Sequence, residues 1–206
     1  GNACSVQQQP REALAWYERA FSTYSSAVGE AHPQALVSLC SIATAHLTLG
    51  QTSTALHTFQ RIHDLVARHL GVDHPSMATL YNNIGNIHRA QSDLARAQVM
   101  YLKGLAIIEA AGLQGHAPCA ATIFSNLAAL AFAQADLKEA LRYFTKTKAL
   151  REQYHGLHHV ETASAYYHLA LVRLSMGRFD AALQEAQTCK SILRALHHLD
   201  THTGHG

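Results

Sequence analysis

The chain has 206 residues, of which 48% are hydrophobic and only 15% are charged. A chain this apolar has enough material for a continuous core and is not expected to be disordered. Sixteen Lys and Arg residues against fourteen Asp and Glu leave a formal net charge of +2, so the sequence lacks the basic field that attracts nucleic acid or anionic membranes. Histidine is unusually abundant, with 16 residues, and this raises the question of a metal site or a pH sensor.

Apolar residues come in short runs rather than in a block of membrane length. The longest purely apolar stretch, residues 127–133, is far shorter than the ~20 residues that a spanning helix needs. No basic segment followed by an apolar one opens the chain, so we expect neither a signal peptide nor membrane insertion. The cysteines have no zinc-ligand spacing, which favours reduced, buried thiols in a cytoplasmic protein. They are Cys4, Cys40, Cys119 and Cys189.

A long internal repeat organises the chain. The segment GEAHP at residues 29–33 recurs as GVDHP at residues 71–75, which is 42 residues later. A column of small residues and a mostly aromatic column recur at spacings of 42 or 43 residues. The small column is Ala13, Ala55, Ala97, Ala140 and Ala182, and four residues beyond it come Tyr17, Phe59, Tyr101, Phe144 and Ala186. This near-constant period predicts a repeat architecture.

In chain order, the period predicts one partial repeat followed by four full repeats. The partial repeat is a second helix at residues 8–28, and the full repeats cover residues 29–70, 71–113, 114–155 and 156–198. In the second full repeat, Pro75 stands where a first-turn proline is tolerated because its missing N–H would have no partner there. Tyr81, Ile84 and Gly85 then share one helix face, and a break follows at residues 91–93. Neither helix buries its apolar stripe alone, so neighbouring repeats are predicted to stack.

The small and aromatic columns on a two-helix period resemble the tetratricopeptide repeat, which is normally about 34 residues long. The longer period and the Gly-x-x-His-Pro turn are similar to the repeats of the kinesin light chain family, with residues 71–85 the best match. The repeats of clustered-mitochondria proteins share this pattern, so both subfamilies stay open. The resemblance extends over residues 10–200. It implies an all-α, right-handed superhelical solenoid of antiparallel helix pairs, as a single domain over residues 1–206.

The resemblance also implies that the first helix of each pair lines a concave groove. The groove columns contain no carboxylate, no Lys and a single Arg. Because a desolvated carboxylate must be paired with cations, we do not expect this groove to clamp the carboxylate tail of a chaperone. The columns are Val37, Cys40, Ser41, Thr44 and Leu47 in the first full repeat; Thr79, Asn82, Asn83, Asn86 and Arg89 in the second; Thr122, Ser125, Asn126, Ala129 and Phe132 in the third; and Ser164, Tyr167, His168, Leu171 and Leu174 in the fourth.

Asparagines carry the binding chemistry expected of this groove. Asn83 and Asn126 occupy one column in adjacent repeats, and each amide offers a donor and an acceptor to a peptide backbone, a role that the resemblance also implies. Phe132, Tyr167 and Leu171 are expected to form an apolar pocket. Alternatively, the asparagines are solvated or cap turns, and the apolar side chains pack against another element. The candidate groove residues are Asn82, Asn83, Asn86, Arg89, Asn126, Phe132, Tyr167 and His168.

Known catalytic motifs do not occur in the chain. There is no HExxH, P-loop or GxSxG sequence, so we predict no enzyme activity, no cofactor and no metal site. Dispersed Lys and Arg residues argue against a nucleic-acid partner.

The leading interpretation is a protein–protein interaction module of the kinesin light chain-like cargo or adaptor type, which binds an extended peptide or a partner protein in its groove. The alternative is a structural spacer or oligomerisation arm of a larger assembly, and oligomerisation stays open. The chain contains no coiled-coil heptad run of the kind that joins a kinesin light chain to its motor subunit, so the sequence does not predict association with a motor.

The repeat accounts for much of the histidine excess. Histidines recur in the inter-repeat turns, where an imidazole can satisfy backbone groups at a helix end. If turn and groove histidines take up protons near the ordinary histidine pKa of about 6.5, ligand affinity should depend on pH. The loosely spaced C-terminal histidines predict no specific metal site. The turn histidines are His32, His74, His116 and His159.

Overall fold

Nine α-helices and no β-strand make up the part of the chain that the structure describes. The structure is a computed structural model that describes residues 10–112 and 116–203, with side chains up to residue 197. The predicted all-α fold class is confirmed. The helices are α1 Pro10–Val28, α2 Pro33–Thr48, α3 Thr52–His69, α4 Ser76–Ala90, α5 Leu94–Ala111, α6 Ala117–Ala133, α7 Leu137–His155, α8 Val160–Ser175 and α9 Phe179–Thr203.

The helices form two compact units that divide between Ile107 and Ile108, inside α5. In the N-terminal unit, α1 packs on α2, α2 on α3 and α3 on α4. In the C-terminal unit, α6 packs on α7, α7 on α8 and α8 on α9. The partial repeat contributes α1, and the full repeats contribute the pairs α2–α3, α4–α5, α6–α7 and α8–α9. Each period therefore forms two helices, as predicted.

Glycine and histidine shape the turns between repeats. Gly29 and Gly71 have φ angles of +94° and +96°, a left-handed conformation in which a side chain would be strained. In three of these turns, the imidazole Nδ1 accepts the backbone N–H two residues further on. The distances are 3.3 Å for His32, 3.2 Å for His74 and 3.1 Å for His159. The predicted capping role of the turn histidines is confirmed at these three positions.

The small and aromatic columns lie at the centre of the N-terminal unit. Ala55 and Phe59 on α3 are fully buried, as are Ala97 and Tyr101 on α5. Gly85 on α4 makes room for the tyrosine ring, because a Cβ built on this glycine would lie 2.5 Å from Cε1 of Tyr101. Helices α4 and α5 therefore approach each other more closely at this point than a larger residue would allow.

The same columns are buried in the C-terminal unit. Ala140 and Phe144 on α7 pack with Leu169 and Val172 of α8 in one apolar cluster. The N-cap residue of α6, His116, differs from the other turn histidines because its side chain makes no capping hydrogen bond to the described residues of that helix. The apolar columns therefore repeat on both sides of this turn, whereas the histidine cap is interrupted at His116 and returns at His159.

Charged side chains join the three helices of the C-terminal unit that follow α6. Near the end of α7, Arg151 donates to the carbonyl oxygen of Glu161 at 3.0 Å and to its carboxylate at 2.8 Å. Burial lowers the pKa of Arg151, and the charge of Glu161 opposes that shift. The Glu185 carboxylate on α9 lies 3.3 Å from Arg173 on α8 and 4.0 Å from Lys148 on α7. These ion pairs complement the apolar contacts between the helices.

The described cysteines are wholly or partly buried. Cys189 is 8% exposed, and Cys40 and Cys119 are half-buried. Cys4 lies outside the described residues. The side chains of three C-terminal histidines also lie outside the described set; they are His198, His202 and His205. Within the part of the chain that the structure describes, no helix is long and apolar enough to cross a membrane.

Candidate functional site

A cavity of about 840 Å³ opens in the N-terminal unit. The middle of α2 contributes Val37, Cys40, Ser41 and Thr44 to its lining, and α1 contributes Tyr17. All four α2 residues belong to the groove columns predicted from the sequence. A volume of this size lies within the range of about 300–1,000 Å³ that is typical of ligand pockets.

Every lining side chain in the described part of the chain is uncharged. Three hydroxyl groups of α2 lie along it, and we call Ser41, Thr44 and Thr48 the hydroxyl row. Each donates to the carbonyl oxygen four residues earlier on the same helix, at 3.0, 2.9 and 3.1 Å respectively, a common bond for hydroxyl side chains within helices. Their protons are thus used inside α2, while the oxygen lone pairs can accept hydrogen bonds from a ligand.

The remaining α2 side chains make the cavity apolar and neutral. Val37 is 59% exposed although it is a large apolar residue. Burial raises the pKa of Cys40 from its ordinary value of 9.0 to about 11, so this thiol is protonated at neutral pH. The cavity therefore offers hydrocarbon surface, a neutral thiol and hydroxyl acceptors.

The four candidate residues on α4 differ in what they present to a ligand. Asn82 is only 6% exposed, Asn83 is half-buried and Arg89 is exposed. The Oδ1 atom of Asn86 accepts a hydrogen bond of 2.7 Å from the hydroxyl of Tyr101 on α5. Burial raises the pKa of Tyr101, and nearby Arg89 opposes that shift. Asn83 and Arg89 therefore keep accessible surface, whereas Asn82 is enclosed and Asn86 is engaged with α5.

The other candidate residues lie on the two first helices of the C-terminal unit. On α6, Asn126 is half-buried and Phe132 is 36% exposed. On α8, Tyr167 is 53% exposed. Exposed aromatic side chains of this kind are common in surfaces that bind other proteins. Leu171, the third member of the predicted apolar pocket, is half-buried on α8.

His168 is held in place by three neighbours. Its ring stacks on Phe144 of α7, with the ring centroids 5.0 Å apart, and Tyr167 meets it edge-on at 5.5 Å. Its Nδ1 atom lies 2.7 Å from the carbonyl oxygen of Ser164. Because a carbonyl oxygen only accepts, Nδ1 carries a proton, and Nε2 is the acceptor of the neutral ring. His168 therefore takes part in α7–α8 packing as well as in the partly exposed surface.

Sequence reasoning missed the contribution of α1 and of the first residue of α2 to the cavity. Pro10, Tyr17 and Pro33 all line it, but none belongs to the predicted groove columns. Tyr17 is half-buried, whereas its column partners Phe59 and Tyr101 are fully buried. No sequence signal separates Tyr17 from these partners, because its exposure depends on which helices surround α1.

The turn between α7 and α8 gathers aromatic rings rather than metal ligands. The rings of His155 and His159 stack with centroids 4.2 Å apart, and Tyr154 meets His155 edge-on at 4.9 Å. The Nδ1 atom of His159 is already occupied by the capping hydrogen bond to α8. In the described parts of the chain, no group of three His, Cys, Asp or Glu side chains could hold a metal ion.

Comparison with known families identifies repeats along most of the chain. The family model described as Tetratricopeptide repeat matches residues 1–68, 54–110 and 119–195. These matches together cover well over half of the chain. A search of curated protein sequences finds no match.

Solved structures share the fold at low sequence identity. A Podosopora anserina putative kinesin light chain with nearly identical TPR-like repeats is 18% identical, with a TM-score of 0.65 over 95% of this chain and 92% of that chain. BtubC (BKLC) from P. vanneervenii is 18% identical, with a TM-score of 0.75 over 95% of this chain and 78% of that chain. MamA from Desulfovibrio magneticus RS-1 is 14% identical, with a TM-score of 0.58 over 94% of this chain and 91% of that chain.

Proposed function

The chain belongs to the tetratricopeptide repeat family, and from that premise we propose that it holds an extended peptide segment or a partner protein along the first helices of its repeats. The fold is that of a protein–protein interaction scaffold, in which stacked repeats present an extended binding surface. We propose a non-catalytic module of the kinesin light chain-like cargo or adaptor type. One structurally similar protein is described as a putative kinesin light chain, which supports that choice.

The cavity of the N-terminal unit is the observation that carries this proposal. Val37, Cys40, Ser41 and Thr44 of α2 line it together with Thr79 of α4, and the repeat period assigns all five to groove columns. A partly enclosed, mostly apolar cavity with a few polar groups is typical of ligand sites. The coincidence of cavity and columns supports binding along the first helices.

Asn83 and Asn126 are the residues we propose to bind the peptide backbone. Both are half-buried on first helices, α4 and α6. An amide that keeps part of its surface can donate to a peptide carbonyl and accept from a peptide N–H. Loss of such a pair of hydrogen bonds would weaken binding by about 1 kcal/mol for each bond.

We also propose a cytoplasmic location. Burial raises the pKa of Cys40 and of Cys189, so neither thiol has the thiolate character of a reactive cysteine. Inert thiols of this kind suit a reducing compartment.

Binding is tested with peptides selected from a random library displayed on phage, using the 206-residue chain as bait. The affinity of the selected peptides is then measured by fluorescence anisotropy for the chain and for the double variant Asn83→Ala with Asn126→Ala. We expect the double variant to lose at least about tenfold in affinity. Its circular dichroism in the far ultraviolet should match that of the parent chain, because both residues are only half-buried.

A matched control separates the groove from a general loss of surface amides. Gln98 on α5 and Gln153 on α7 are exposed amides on second helices. Replacing both with Ala should leave peptide affinity unchanged. Equal affinity of the asparagine double variant and the parent chain would refute the assignment of the groove.

Exposed apolar residues favour a second candidate function, a structural spacer or oligomerisation arm. Val160, Phe179 and Leu183 in the C-terminal unit are 57%, 68% and 58% exposed. Apolar surface of this kind is often covered in an assembly. Two results together would favour this function over the first. The chain would associate in a concentration-dependent way in sedimentation velocity, and the double variant Phe179→Ser with Leu183→Ser would abolish that association. The phage library would yield no binding peptide.

A further inference from the structure

We infer that the cavity of the N-terminal unit is a subsite that receives an uncharged, aliphatic segment of a partner peptide and rejects charged side chains. This inference rests on the proposed peptide-binding function and adds the chemistry of the peptide. The cavity has room for several side chains, because its volume is about 840 Å³. Its occupant is identified by three properties of the lining, which are charge, hydrogen-bonding capacity and apolar surface.

The first property is electrical neutrality. Among the residues that the structure describes, the lining contains no Asp, Glu, Lys, Arg or His side chain. The charges of Arg61 and Glu30 in the same unit are paired with each other at 2.8 Å, and neither residue lines the cavity. A carboxylate or ammonium group that entered would lose water and find no counter-ion among the lining residues, which is costly. Charged segments are therefore rejected.

The second property is the direction of the hydrogen bonds. The hydroxyl row of Ser41, Thr44 and Thr48 uses its protons on carbonyl oxygens of α2. Its lone pairs can accept from an N–H group. A carboxylate, which only accepts, would meet acceptors from this row, whereas the N–H groups of a peptide backbone would meet the partner they need. The row therefore favours N–H donors over carboxylates, and together with the neutral lining this favours a peptide backbone flanked by uncharged side chains.

The third property is exposed hydrocarbon. Val37 is 59% exposed on the cavity-lining face of α2. Covering apolar surface is favourable by roughly 25 cal/mol per Å². The protonated thiol of Cys40 behaves as a further small apolar group. Aliphatic side chains such as Leu, Ile or Met match this surface without requiring a polar partner.

The experiment compares charge at one position of the cavity with the same charge elsewhere on α2. Peptides are selected from a random phage library against the 206-residue chain, synthesised with an acetylated N-terminus and an amidated C-terminus, and titrated by fluorescence anisotropy. Val37→Glu places a carboxylate at the cavity. Gln34→Glu places the same charge on an exposed position of α2 that does not line the cavity.

We expect the selected peptides to share an uncharged aliphatic segment whose affinity falls at least about tenfold for Val37→Glu and stays unchanged for Gln34→Glu. Replacing one aliphatic residue of that segment with Lys should weaken binding to the parent chain and restore binding to Val37→Glu, since the new charges pair. This rescue also demonstrates that Val37→Glu is folded. Thermal unfolding followed by circular dichroism gives a second check.

The outcomes distinguish this inference from the proposed function. Peptides that carry charges at their conserved positions, or that bind Val37→Glu and the parent chain equally, would overturn the inference while leaving peptide binding intact. Loss of affinity with Asn83→Ala but not with Val37→Glu would likewise overturn the inference and leave peptide binding intact. Failure to select any peptide would overturn both.

Discussion

The hydroxyl of Tyr101 on α5 donates a hydrogen bond of 2.7 Å to Oδ1 of Asn86 on α4. The side chain of Tyr101 thus joins the two helices of a repeat in two ways: its hydroxyl binds Asn86, and its ring packs against Gly85. The ring is fully buried, so its hydroxyl needs a partner. Asn86 supplies that partner, and a residue expected to face a ligand therefore stabilises the repeat.

Gly85→Ala should destabilise the chain even though alanine favours helices more than glycine does. The new methyl group would lie 2.5 Å from Cε1 of Tyr101, and overpacking of a core typically costs about 1–3 kcal/mol. That cost exceeds the gain in helix propensity of up to about 1 kcal/mol. The free energy of unfolding in urea measures the balance.

A double-mutant cycle identifies the cause of that loss. Tyr101→Leu removes the ring, so Gly85→Ala should cost less in the Tyr101→Leu background than in the parent chain. Equal costs in the two backgrounds would contradict the close approach of α4 and α5.

Burial of the protonated Cys40 thiol should make the chain less stable at alkaline pH. The pKa of the native thiol is about 11 against an ordinary value of 9.0, so in the unfolded chain the thiol ionises first. The stabilisation is fully present below pH 9 and is lost as the pH rises toward 11, by about 2–3 kcal/mol. Urea unfolding between these pH values should show a steeper decline for the parent chain than for Cys40→Ala. Parallel profiles would refute the burial of this thiol.

The imidazole cap at His74 should be replaceable by a better known capping residue. Its Nδ1 accepts the backbone N–H of Ser76 at 3.2 Å, so His74→Ala leaves that donor without its partner and should cost about 1 kcal/mol. His74→Asn should retain most of the stability, because an asparagine oxygen accepts the same kind of bond. His57→Ala, at an exposed position inside α3, provides the control. If His57→Ala lowers the free energy of unfolding as much as His74→Ala does, the loss at His74 does not come from a missing cap.

Arg151→Met should loosen the start of α8. The guanidinium binds both the carbonyl oxygen and the carboxylate of Glu161, and its side chain is only 10% exposed. Removing hydrogen bonds from a charged, buried donor should cost about 2 kcal/mol. Hydrogen exchange of the amides in the first turn of α8 should become faster.

The partner residue provides the comparison for Arg151. Glu161 is 49% exposed, and Glu161→Gln keeps the carbonyl that Arg151 also uses, so this change should cost less than about 1 kcal/mol. A larger effect of Glu161→Gln than of Arg151→Met would mean that the carboxylate, rather than the carbonyl, holds the contact.

The sequence predicts the helices well because the same buried positions recur in each repeat. Ala55, Ala97 and Ala140 recur at spacings of 42 and 43 residues and are all fully buried, so one near-constant period places helices throughout the described chain. The glycine–histidine turns repeat for the same reason, since each must end one helix and begin another.

Individual side-chain roles in the candidate site could not be predicted in the same way. Asn82 and Asn83 are adjacent in sequence, but Asn82 is 6% exposed and Asn83 is half-buried, because a helix turns by about 100° at each residue. His168 stacks on Phe144, a contact set by the neighbouring repeat. The single-domain organisation and the groove assignment stay predictions.

Most helix contacts within the two units join elements that follow each other directly in the chain. Helix α2 ends at Thr48 and α3 begins at Thr52, so closing this hairpin costs little chain entropy. Chains dominated by such local contacts fold rapidly, since no distant strands or helices have to find each other first. Each unit can therefore fold one helical hairpin at a time. Partial unfolding that starts at one end of a unit should leave the remaining hairpins folded.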